Sequence, residues 1–217
     1  MAHNLTDLVD NILAFFPRIS KVSDQMEYSD CQPEWIRQVS SYDPLYYYHR
    51  EVLEVIEPLK PESPVKIIFE ISNKHQLLAH EKEDCSRVSS VLALLITTES
   101  YLPVAKLDIF LGFKSRINAE IIGLLYVLKF LSNCGFLRVT IEGHPELFGR
   151  FRSVFYAKKD CFLHKTTLLI FEEIRKFESI FWNPDEENQE AKETVSDKAR
   201  QRLNFVCKAK QGKIGSR

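Results

Sequence analysis

The sequence predicts an α/β protein with one mixed sheet flanked by helices, and three stretches carry that reading. The first is Ile117 to Leu131, apolar at Ile121, Ile122, Leu124, Leu125, Val127, Leu128, Phe130 and Leu131, with polar residues only at isolated positions. A surface helix would show a broad polar face, so this one is buried around most of its circumference. The second stretch follows directly. Ser132-Asn133-Cys134-Gly135 stops the helix, with Gly135 suited to a left-handed cap, and Phe136 to Ile141 is a short, bulky, β-branched strand. The third is Val65 to Ser72, whose alternation puts Val65, Ile67, Phe69 and Ile71 on one face and Ile68, Glu70 and Ser72 on the other. A buried helix beside buried strands makes a layered sheet protein.

The remaining elements follow in chain order. Leu5, Leu8, Val9, Ile12, Leu13 and Phe16 recur at helical spacing until Pro17 ends the run. Asp43-Pro44 pairs an N-cap acid with a first-turn proline and opens a second helix through Leu45, Tyr48, Val52, Leu53 and Ile56. Residues 1–60 therefore read as a helical N-terminal extension. Its apolar faces, with the aromatics Trp35, Tyr46 and Tyr47, pack either on the main domain or against a protein partner. Pro58 to Pro64 (PLKPESP) is a stiff linker. The main domain, 64–205, then holds strands at 65–72, 88–98 and 104–113, the central helix and the strand at 136–141. His144-Pro145 opens a helix reaching Phe155, Thr166 to Phe177 is another, Ser179 to Trp182 is a short strand, and an amphipathic stretch covers 195–205.

Composition sets bounds on function. A chain of 217 residues with net charge −1 has ample core to fold and no global field to draw in nucleic acid or anionic membrane. The charge is uneven: residues 1–60 carry ten acids against five Lys or Arg, whereas 198–217 carry seven bases and no acid. The last segment, 206–217, reads as a basic C-terminal tail that is disordered, binds RNA or serves as a nuclear address. Five scattered cysteines favour reduced thiols in a nuclear or cytoplasmic protein. Cys161 and His164 have a ligand-like spacing without a second pair, so no metal site is expected there. No signal peptide or membrane span is expected, because Asp7 and Asp10 interrupt the first apolar run and no later run is long enough.

Two features bear on chemistry. Glu120 lies among Ile117, Ala119, Ile121 and Ile122, where an unpaired carboxylate would cost several kcal/mol, roughly. It is either a site carboxylate or a helix-end acid that reaches solvent and favours the positive end of the dipole. Arg150, Arg152, Lys158 and Lys159 cluster with Phe151, Phe155 and Tyr156, a mixture that either grips a phosphate backbone and stacks on bases or forms a solvated surface with apolar anchors.

The element order, three strands, helix, strand, two helices, strand, helix, resembles that of the ribonuclease H-like superfamily. The segment Lys114-Ser115-Arg116-Ile117-Asn118-Ala119-Glu120-Ile121 looks like the entry to that family's central helix. Leu137 to Leu147 (LRVTIEGHPEL) is similar to its fourth strand and the turn after it. Phe177 to Ala191 (FESIFWNPDEENQEA) resembles its last strand and loop in retroelement and plant-type members. Over 64–205 the resemblance implies a five-stranded mixed sheet, order 3-2-1-4-5. The first strand is central, the first three are antiparallel, and the fourth is parallel to the first.

It also implies a chemistry, cleavage of the RNA strand of a hybrid by two divalent ions held by four carboxylates. Carried over by position, those sites fall on Glu70, Glu120, His144 and Lys192, with Asp197 a possible substitute for the last. Histidine is a poor Mg²⁺ ligand and an ammonium repels metals, so the resemblance implies vestigial positions. Glu120 would then be satisfied by a hydrogen bond or by a cation such as Lys192 or His144. The expected function is a non-catalytic scaffold in a nucleic-acid-processing complex, contacting RNA or an RNA/DNA hybrid and needing no cofactor. The alternative is a nuclease with an altered ligand set, using Mg²⁺ or Mn²⁺.

Overall fold

The structure, a computed structural model, describes residues 2–9, 52–57, 62–76, 87–113, 116–154, 161–185 and 188–214. Its strands are β1 (His3–Asn4), β2 (Val52–Val55), β3 (Val65–Gln76), β4 (Arg87–Thr98), β5 (Pro103–Phe113), β6 (Arg138–Glu142) and β7 (Ser179–Asn183). Its helices are α1 (Arg116–Asn133), α2 (Pro145–Val154), α3 (Cys161–Ile174) and α4 (Gln189–Ile214), and residues 5–9 form a further helical turn. Asn4 caps that turn, its Oδ1 accepting from the Thr6 amide at 3.0 Å.

All seven strands join one sheet, in the order β1-β7-β6-β3-β4-β5-β2. The inner five have the expected order. β3 is central, antiparallel to β4 and parallel to β6, and β4 is antiparallel to β5. The expectation of five strands is corrected by the two edges: β1 adds antiparallel to β7, and β2 adds antiparallel to β5. Val52 to Val55, read as the end of a helix, is therefore a strand, with Leu53 opposite Leu107. A short apolar run such as VLEVI satisfies both periods, and the unpaired edge of β5 decides between them. Helix α4 continues to Ile214, so residues 206–214 of the expected tail are helical.

The sheet carries one main core on the α1 side. Val65, Ile67 and Phe69 of β3 pack there with Ile121, Leu124, Val127, Leu128 and Leu131 of α1 and with Trp182 of β7. The end of α1 is closed as expected. Gly135 takes φ 80, the Phe136 amide donates to the Leu131 carbonyl at 3.1 Å, and the Gly135 amide donates to the Ser132 carbonyl at 3.0 Å. On the other face, α4 lays Ala191, Val195 and Ala199 on Ile68, Ala93 and Leu95, and further along lays Leu203 and Val206 on Val91 and Phe110. Among the described residues no helix is long and apolar enough to cross a membrane.

Candidate functional site

The site lies where β3 runs past the end of β6. Their pairing stops at Ile67 opposite Ile141, so beyond it the β6-facing edge of β3 has lost its neighbour. The turn after β6 fills that gap. Gly143 and His144 adopt φ 80 and φ 60 in succession, a conformation that glycine takes freely and histidine more readily than most residues. This swings the His144 ring over Phe69, with ring centres 4.4 Å apart, and its Nε2 donates to the Phe69 carbonyl. Pro145 then begins α2, and the His144 carbonyl accepts from the Phe148 amide at 3.0 Å. Trp182, fully buried, holds the turn from below by donating Nε1–H to the Gly143 carbonyl at 2.8 Å.

Around this turn opens a cleft of about 260 Å³, lined by Glu70 of β3, Arg116 and Glu120 of α1, His144, Glu146 of α2 and Lys192 of α4, among others. All four positions carried over from the resemblance therefore meet in one place. Asp197 does not join them. It lies further along α4 and pairs with Arg200 at 3.0 Å on an exposed face. Of the basic cluster and the aromatic interface, Arg150 and Arg152 fall in α2 with side chains outside the described residues, and Lys158, Lys159, Trp35, Tyr46 and Tyr47 lie outside them altogether.

One residue at the centre of the site was not singled out by sequence. Arg116 Nε contacts Glu120 Oε1 at 2.9 Å, and its Nη2 approaches Glu146 at 3.9 Å. The hydrogen bond to Glu120 and the charge of Glu120, with smaller pulls from Glu146 and Glu70, push the guanidinium above its ordinary value. Arg116 is thus one cation that satisfies Glu120. Its signal was the four-residue spacing to Glu120 on one helix face. Glu120 is largely buried, with 12 % of its side chain exposed.

Glu142 lies two residues before His144 and on the opposite face. It is fully buried, accepts from the Tyr101 hydroxyl at 2.8 Å and pairs with Lys66 at 3.2 Å. Lys66 in turn lies 3.9 Å over the Tyr101 ring. Burial lowers the Lys66 ammonium, but its bonds to Tyr101 and Glu142 outweigh that and leave it above its ordinary value. This cluster fastens β6 to the β4–β5 turn and keeps Glu142 out of the cleft.

The sheet order, the helix placement and this cleft together define a ribonuclease H-like fold. Among solved structures, the chain is similar to LC11-RNase H1 isolated from compost by a metagenomic approach, with a TM-score of 0.51 and 13% identity over 67% of this chain and 99% of that one. It is also similar to RNase H1 from the halophilic archaeon Halobacterium salinarum, at 0.49 and 15% over 66% and 99%. A third likeness is to a foamy viral protease-reverse transcriptase in complex with an RNA/DNA hybrid, at 0.48 and 17% over 68% of this chain and 22% of that one. The compost structure, with the highest score of these, carries the fold assignment. No family profile matches the sequence, and no curated protein matches it.

The residues present do not fit the two divalent ions of that fold's enzymes. Glu70, Glu120 and Glu146 supply hard oxygens, but Arg116 and Lys192 bring positive charge to the same cleft, and the His144 Nε2 proton is committed to a backbone carbonyl. Among the described residues no group of three or more His, Cys, Asp or Glu could hold a metal ion.

Proposed function

We propose that this chain is a non-catalytic ribonuclease H-like module, a protein-interaction scaffold in a nucleic-acid-processing complex. The observation that carries the proposal is Arg116. Its guanidinium pairs with Glu120 at 2.9 Å and approaches Glu146 at 3.9 Å, placing a fixed positive charge where a two-metal site would hold divalent ions. Adding two dications beside Arg116 and Lys192 would place like charges together in one small cleft. In this reading the partner binds through the N-terminal segment with Trp35, Tyr46 and Tyr47. RNA or hybrid contact falls to Arg150, Arg152, Lys158 and Lys159, and the protein works in the nucleus or cytoplasm. A fluorescent RNA/DNA hybrid incubated with the protein and Mg²⁺ or Mn²⁺ should remain intact, and calorimetry should show no binding of two ions. Cleavage that Glu120→Gln abolishes would overturn the proposal. It would establish the second reading, a nuclease with an altered ligand set, which is favoured by Glu70 and Glu120 lining one cleft.

A further inference from the structure

A second surface lies on the face opposite the main core, away from the cleft. Helix α4 covers β3, β4 and β5 there, and among the described residues no element packs on the same side of β6 and β7 as α4 does on those strands. Strand register puts Lys66, Thr140, Phe181 and Asn4 in one row across β3, β6, β7 and β1. One step back along the strands, Arg138 and Ser179 form the next row on that face. Ile180 and Trp182, on either side of Phe181, point into the main core and are fully buried, whereas Phe181 is 36% exposed. An exposed phenylalanine on a strand gains little from folding, and a polar side chain would serve solubility better.

We infer that this face binds single-stranded nucleic acid, with Phe181 as the stacking platform and Arg138 as the phosphate contact. A ring lying on a sheet, flanked by bases and by small hydrogen-bonding side chains, meets the two needs of such a ligand, a π-face for the base and positive charge for the backbone. Arg138 is exposed and donates to the Glu62 carbonyl, a neutral group, so its charge stays available. Lys66, in the neighbouring row, is committed to the buried Glu142 and is not a phosphate contact. A protein partner fits less well, because Phe181 is the one exposed large apolar side chain of these two rows and Asn4, Thr140 and Ser179 around it are polar. The inference does not depend on the cleft, which lies on a different part of the sheet.

The test is fluorescence anisotropy with a fluorescein-labelled twelve-residue oligouridylate at low salt. The full chain should bind it, and Phe181→Ala should weaken binding about ten-fold while Phe181→Tyr retains it. Arg138→Gln should weaken binding and lower the slope of log affinity against log salt by about 0.7, the loss of one phosphate contact. Phe205→Ala, at the exposed phenylalanine of α4, should bind as the parent does. Absence of binding by the parent would overturn the inference, as would Phe181→Ala binding unchanged or Phe205→Ala weakening it equally. A face that captures a protein instead would give the first of these results.

Discussion

At His144 the backbone, the ring and the neighbouring strand all depend on one side chain. Its left-handed φ of 60 aims the imidazole at β3, where Nε2–H satisfies the Phe69 carbonyl that β6 no longer reaches. Losing that donor leaves a buried acceptor without a partner, which costs about 1–3 kcal/mol. The acid that the resemblance would place here cannot serve, because an ionised carboxylate only accepts. Asparagine can donate and also tolerates the left-handed region. His144→Asp should therefore lower the urea unfolding free energy by more than His144→Asn does at pH 7, and equal losses would remove the donor role assigned to the ring. Arg116 is a contrasting case. Its side chain is 67% exposed, so Arg116→Gln should cost less than about 1 kcal/mol in the same measurement, although it removes the main cation of the cleft.

Helix α4 shows how an element is seated by contacts that no local pattern announces. Its small residues Ala191 and Ala199 allow close approach to the sheet, and that much follows from an amphipathic reading. Its ionic anchors do not. Asp108 of β5, 7% exposed, faces Lys198 at 3.6 Å and Arg202 at 3.3 Å, and Lys198 also reaches Glu54 of β2 at 3.4 Å. Burial raises the Asp108 carboxyl above its usual 3.8, and the charges of Arg202 and Lys198 only partly offset it. The folded state therefore holds this proton more tightly than the unfolded chain. The stability that Asp108 contributes is greatest below 3.8 and falls as pH rises from there through the raised folded value. Asparagine at this position does not titrate. Urea midpoints across the acid range should show the parent losing ground to Asp108→Asn over that window and the gap holding constant above it. A parent that gains on the variant as pH rises would reverse the sign assigned to Asp108.

For the whole molecule, the inner sheet was legible because burial on two faces wrote near-continuous apolar runs into β3, β4 and β5, and the cap at Gly135 fixed the step from α1 to β6. The edges were not. His3–Asn4 is too short to carry a period, and Val52–Val55 pairs with residues fifty or more positions away. The cleft was legible by position, since Glu70, Glu120, His144 and Lys192 do converge. Its chemistry was not, because the reach of Arg116 depends on side-chain geometry. The sharpest consequence concerns the first nine residues. Read from sequence, they begin a helical extension that packs either on the domain or on a partner. In the fold, Leu5 and Val9 are fully buried in the main core, His3 stacks on Phe148 with ring centres 4.7 Å apart, and β1 closes the edge of β7. Burying a leucine and a valine contributes about 1.5–3 kcal/mol each. A chain lacking residues 1–9 should therefore unfold with about 3–5 kcal/mol less stability, a loss at least as large as that of Leu5→Ala alone. Its dependence on urea should also be shallower, because less surface is exposed on unfolding. Unchanged stability on deletion would mean that this segment is a detachable appendage and that the sheet ends at β7.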